Sequence, residues 1–221
     1  LLKMGGYGLI RLMEIYYKVM VKYNYLIFSV GIVGGIIVRI LCLVQIDMKS
    51  IVAYSSVVHM NLILARFMTL FKVGILGGYI MIISHGLCSS GIFYMVNLYY
   101  ERSGRRLIIL NKGIIGNLPV VIMWWFIFCI VNFSFPLSLN FVGEIMILMR
   151  ILNWDIYMLI YLRLICFFRA AYSLYLCSYV YHGKNIYYEN KIYYSNLKEY
   201  FILIMHFFPL LIYLLNLIIF V

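Results

Sequence analysis

Apolar side chains run in long stretches along this chain, and polar residues gather between them. Seven stretches stand out: 1–17, 25–45, 50–70, 74–100, 114–149, 155–181 and 199–220. At about 1.5 Å per residue, roughly 20 residues of helix cross a hydrocarbon core of about 30 Å. The pattern predicts about seven helical spans. The runs do not alternate in polarity, which excludes a transmembrane β-barrel. The predicted fold class is an all-α, polytopic transmembrane helix bundle, one domain over 1–221.

The fifth run is too long for one upright span and too short for two spans with a loop. Its middle reads Asn132-Phe133-Ser134-Phe135-Pro136-Leu137-Ser138-Leu139-Asn140, followed by Gly143-Glu144. Pro136 removes a backbone donor, and Ser and Asn side chains can satisfy the freed carbonyls. A discontinuous helix over about 114–149 is predicted, with two halves meeting near 134–140. In transporters such breaks face polar cavities at ion sites. A simple proline kink is the alternative.

Composition strengthens the membrane reading. The chain is 66% hydrophobic and 11% charged, with a mean hydropathy of +1.02, against roughly 45–50% and about 25% in soluble domains. This excludes a soluble globular domain and a disordered chain. The formal net charge is +11, but several basic residues lie inside apolar runs, so no basic face forms for nucleic acid. The even loops carry Lys49; Arg102, Arg105, Arg106 and Lys112; and Lys184, Lys191 and Lys198. The odd loops carry only Lys18, Lys22, Lys72 and Arg150. The positive-inside rule places the even loops on the cytoplasmic or matrix side and the C-terminus opposite.

Five cysteines lie in apolar runs without a CxxC pair; buried thiols are expected, not a disulfide framework or a metal site. HExxH, GxGxxG, P-loop and Cys-cluster motifs are missing, so no nucleotide, flavin, iron–sulfur or haem site is expected on this chain. No cleavable signal peptide is visible. The chain opens at Leu1 inside a helix-like run without an initiator Met, which reads as a fragment.

Ionisable groups inside a bilayer cost about 2.5–3.5 kcal/mol each on insertion scales and are functional candidates by default. His59 lies mid-span, one helical turn from Ser55. His85 lies mid-span, one turn from Ser89. Such a pair can form a hydrated proton path, or serve as structural histidines bonded between helices. Glu144 follows the broken stretch, where a buried carboxyl can load and release a proton. Lys3, beside Gly5, Gly6 and Gly8, is either a buried lysine able to act as a neutral acceptor or a helix-end lysine snorkelling to the interface.

These residues carry a family resemblance. LLKMGGYGLIR (1–11), QIDMKSIVAYSSVVHMN (45–61), MIISHGLCSSGIFYMVNLYYER (81–102), LNKG (110–113) and PLSLNFVGEI (136–145) closely resemble the subunit 4 family of mitochondrial NADH dehydrogenase. These are antiporter-like, proton-pumping subunits of respiratory complex I. The resemblance implies the C-terminal half of a fourteen-helix protein, with 25–181 as the second five-helix inverted repeat. It implies a proton relay through Lys3, His59, His85 and Glu144 in the mitochondrial inner membrane. It also implies that NADH, FMN, iron–sulfur clusters and ubiquinone are handled by other subunits, with neighbouring antiporter-like subunits 2 and 5 and lipids such as cardiolipin as partners. A stand-alone cation/proton antiporter subunit shares the pattern. Phe135 stands where a second Pro is common, and Val44 where an Arg is usual.

Four arginines, Arg39, Arg150, Arg163 and Arg169, lie within or at the edge of apolar spans. The resemblance implies Ser at these places and at Arg105. Invertebrate mitochondria read AGA and AGG as Ser, which the standard code reads as Arg. The expectation is that these five residues are Ser in the natural protein, with Arg66 a weaker candidate. The alternative is that some are genuine and face the polar axis or a partner's carboxylate.

Overall fold

The computed structural model describes residues 2–13, 15–113, 119–183 and 196–220. Among the described residues eight α-helices follow one another: α1 (Leu2–Met13), α2 (Tyr17–Val44), α3 (Met48–Phe67), α4 (Lys72–Ser103), α5 (Pro119–Asn132), α6 (Leu139–Trp154), α7 (Met158–Tyr181) and α8 (Leu197–Leu215). Helices α2, α3, α4, α7 and α8 are each long and apolar enough to cross a membrane. Helix α2 starts ahead of its apolar run because residues 17–25 contain no Gly or Pro, and Lys18 and Lys22 can reach outward from its first turns.

Local chemistry sets the ends. Asp47 caps α3 by accepting the Lys49 amide at 3.0 Å, as short polar N-caps do. Gly104, at φ +66°, closes α4 in the left-handed region that suits glycine. Its loop is stapled to the α2–α3 turn: the Met48 amide donates to the Arg106 carbonyl at 3.1 Å, and Ile108 to Ile46 at 3.0 Å.

The fifth run is interrupted, not kinked. Helix α5 ends at Asn132 and α6 begins at Leu139. Between them Ser134 and Leu137 hold φ of 57° and 75°, a conformation costing a non-glycine residue roughly 1–2 kcal/mol. Local bonds hold the break in place. The Phe135 amide reaches back to Ile130 at 3.2 Å. Asn140 Nδ2 donates across the gap to the Val131 carbonyl at 2.9 Å. Ser138 caps α6 by accepting the Phe141 amide at 3.3 Å.

Helix α4 is central and packs against α3, α5, α6 and α8. Its glycines admit rings from neighbouring helices: a Cβ on Gly91 would lie 2.4 Å from Phe128, and one on Gly78 2.5 Å from Phe67. Leu, Ile, Val and Phe side chains stand exposed around the outside, where hydrocarbon solvates them. The cysteines are not uniformly buried as expected. Cys42, Cys88 and Cys129 are, but Cys166 is exposed and Cys177 half-buried, because α7 turns much of its surface away from the bundle.

Candidate functional site

Lys3 is held by α1 against α4. Its Nζ donates to Ser89 Oγ at 2.7 Å, and its stem lies beside Gly86, 3.9 Å from where a Cβ would stand. It points inward rather than to an interface. One turn back from Ser89 on the same face of α4 is His85. His85 meets His59 of α3 ring to ring, with centroids 4.4 Å apart and planes tilted by 35°. His59 Nδ1 then approaches Glu144 Oε1 of α6 at 3.4 Å. All four residues picked from the sequence therefore lie in one row: Lys3 on Ser89, His85 one turn from Ser89 on the same face of α4, and His59 between His85 and Glu144.

The burial of this chain is deep: both histidines are 0% exposed and Glu144 9%. Among the described residues, and beyond the 3.4 Å approach of His59 to Glu144, none of the four imidazole nitrogens nor Glu144 Oε1 has a hydrogen-bond partner. Buried polar atoms normally find a protein group or an ordered water. Ser55, expected beside His59, gives its hydroxyl to the Val52 carbonyl at 2.7 Å instead.

A fifth charged residue joins them. Arg169 of α7 forms an ion pair with Glu144. Its Nη2 also donates to the Asn132 carbonyl and, at 2.6 Å, to Ser134 Oγ. The guanidinium thus caps the open carbonyl end of α5 and the carboxylate at the break together, where a cation is favoured by the helix dipole. This matches the alternative in which an arginine faces the polar axis and a carboxylate. The only signal was that both are buried charges in need of a partner.

The remaining arginines differ. Arg39 is 1% exposed, near Tyr172 and Arg169, with Nε and Nη1 unpaired. Arg66, fully buried, donates to the Val73 carbonyl at 2.5 Å, and Gly77 leaves it room. Arg150 lies half-buried with its guanidinium over Phe71 at 5.7 Å. Arg163 and Arg105 are exposed. Among the described residues no three His, Cys, Asp or Glu side chains converge as a metal site.

Residues 1–168 match the family model for the transmembrane region of NADH:quinone oxidoreductases and Mrp antiporters. The chain belongs to that family. The match takes in Lys3, His59, His85 and Glu144 and stops one residue before Arg169. An antiporter-family relative from Aedes aegypti, NADH-ubiquinone oxidoreductase chain 4, is 44% identical over 184 residues, 83% of this chain and 41% of the relative. A protein of the same name from Crotalus lepidus is 36% identical over 176 residues, 80% of this chain and 76% of that one. The fold is similar to a chain in the structure of respiratory complex I from Thermus thermophilus with bound NADH. The TM-score is 0.80 at 18% identity, over 87% of this chain and 41% of that one. This antiporter-family chain therefore spans about two fifths of the length of the Aedes relative and of the Thermus chain.

Proposed function

We propose that this chain is the C-terminal part of a core membrane subunit of respiratory complex I. In this reading it moves protons across the mitochondrial inner membrane, coupled at a distance to electron transfer from NADH to ubiquinone. The observation that supports it is the buried chain Lys3–Ser89–His85–His59–Glu144, drawn from α1, α4, α3 and α6. Lys3 and Glu144 are its two terminal proton stations, and His85 and His59 are the relay. Two imidazolium charges at the observed 4.4 Å separation would repel by about 4 kcal/mol at an effective dielectric constant near 20. The relay accordingly carries one proton at a time. An arriving charge at one station alters the electrostatic cost at the next, which is how a signal from a distant redox site becomes proton movement.

In the chain as written, Arg169 occupies Glu144, and a proton reaching that carboxylate must displace a guanidinium that is always charged. The redox groups, FMN and iron–sulfur clusters, together with NADH and ubiquinone, belong in this reading to other subunits. Partners are the neighbouring antiporter-like subunits 2 and 5 and lipids such as cardiolipin. Residues 25–181 form the five-helix repeat, and the even loops face the matrix. The names of the relatives favour complex I over a stand-alone antiporter.

The test replaces Glu144 with Gln and Lys3 with Met in the intact complex. Each change keeps the side-chain bulk and removes the exchangeable charge. Coupled turnover and protons pumped per electron are expected to fall while assembly persists. Unchanged pumping ratios in both variants would remove these residues from the mechanism.

A further inference from the structure

At the end of the bundle where α3 begins and α4 finishes, Lys49, Phe93, Val96, Asn97, Tyr100 and Arg106 line a pocket of about 260 Å³. Its two cations stand on segments that the backbone ties together. Arg106 is fixed through the bond from the Met48 amide to its carbonyl and through the adjoining bridge between Asp47 and Leu107. Its guanidinium lies 4.5 Å over the Tyr100 ring, and both residues line the pocket.

The nearby acids do not neutralise these cations. Asp47 accepts the Lys49 amide and caps α3, and Glu101 accepts Asn97 Nδ2 at 2.7 Å. Among the described residues neither Lys49 Nζ nor the Arg106 guanidinium makes an ion pair or a hydrogen bond. The other wall is apolar. Phe93 and Val96 lie two to three turns back along α4 from its end at Ser103, toward the middle of the span.

Two unspent cations at the rim and an apolar wall leading inward match one kind of molecule. We propose that this pocket seats the phosphate of an anionic phospholipid, with Lys49 and Arg106 on the phosphate oxygens and an acyl chain passing Phe93 and Val96. Basic pockets between transmembrane helices on the matrix side take such headgroups, and guanidinium and ammonium groups are the usual phosphate donors. A free phosphate would use the cations but not the wall. The proposal deepens the lipid partnership proposed above and shares only its membrane orientation with the proton relay.

The experiment reconstitutes the whole complex in phosphatidylcholine nanodiscs with a minor fraction of phosphatidylglycerol bearing a photoactivatable acyl chain, and maps cross-linked peptides. Labelling of the segment containing Phe93 and Val96 is expected. It should fall roughly tenfold in Lys49→Gln and again in Arg106→Gln, as loss of a charge-assisted contact implies, and should be retained in Lys49→Arg and Arg106→Lys. Labelling of α8 serves as the folding control and should not change. Equal labelling by a phosphatidylcholine probe, labelling abolished by inorganic phosphate, or undiminished labelling in the double Gln variant would each overturn the proposal. Proton pumping is measured on the same samples. Loss of pumping with normal labelling bears on the relay alone, and the reverse on this site alone.

Discussion

Serine at position 39 is expected to make this protein more stable than arginine, and to be the residue that the organelle inserts there. Arg39 is 1% exposed, on α2 five residues before its end at Val44. Two of its donor atoms, Nε and Nη1, have no partner among the described residues. Each unsatisfied buried donor costs about 1–3 kcal/mol. Against this, trimming the stem forfeits about 0.8 kcal/mol per methylene, or about 2 kcal/mol for the side chain. A serine meets its own hydrogen-bonding need by back-bonding along the helix, as Ser55 does to Val52 and Ser84 to Met81. The balance favours Arg39→Ser by about 2 kcal/mol, a large fraction of the roughly 5–15 kcal/mol by which native proteins are stable. For Arg105, Arg150, Arg163 and Arg169 the same expectation rests on the family resemblance and not on unsatisfied burial, since Arg169 is paired with Glu144 and Arg105 and Arg163 are exposed. Five serines would lower the formal net charge of +11 by five. The assay is twofold: thermal release of the subunit from the complex for Arg39→Ser, and peptide masses from the natural complex. CGN codons, tryptic cleavage after residues 39, 163 or 169, or a lower release temperature for Arg39→Ser would refute it.

Two further outcomes are expected. Protease added to the intermembrane side of mitoplasts should leave Arg102–Arg106 uncut if that loop faces the matrix, as the proposed reading has it from the charge bias; cleavage there would reverse the topology. Gly91→Leu should destabilise the bundle by about 1–3 kcal/mol, the usual cost of overpacking, since Phe128 already stands 2.4 Å from a Cβ at that position. An unchanged thermal release temperature would show that the ring moves aside freely.

Much of this architecture is written in run lengths. A stretch of apolar residues over 114–149 that fits neither one span nor two forces a break, and Pro136 with its Ser and Asn neighbours locates it. The structure puts the gap at residues 133–138, even with Phe135 in place of a second proline. The candidate residues were legible for a similar reason: Lys3, His59, His85 and Glu144 are expensive in a bilayer, so each needs a purpose. Their order was not legible. The contact between His59 and His85 depends on how α3 crosses α4, and the pairing of Glu144 with Arg169 joins residues on two helices whose packing no local pattern encodes. Cys166 shows the same limit, since an apolar run does not reveal which of its faces meets lipid.

The ion pair between Arg102, at the end of α4, and Glu199, at the start of α8, has a consequence for biogenesis. The two residues lie 97 positions apart, so a ribosome must add nearly half of this sequence before the arginine meets its carboxylate. A chain released early presents an unneutralised guanidinium at the membrane rim; a finished one conceals it. The pair thereby joins α8 to α4 only after the chain has been made through residue 199.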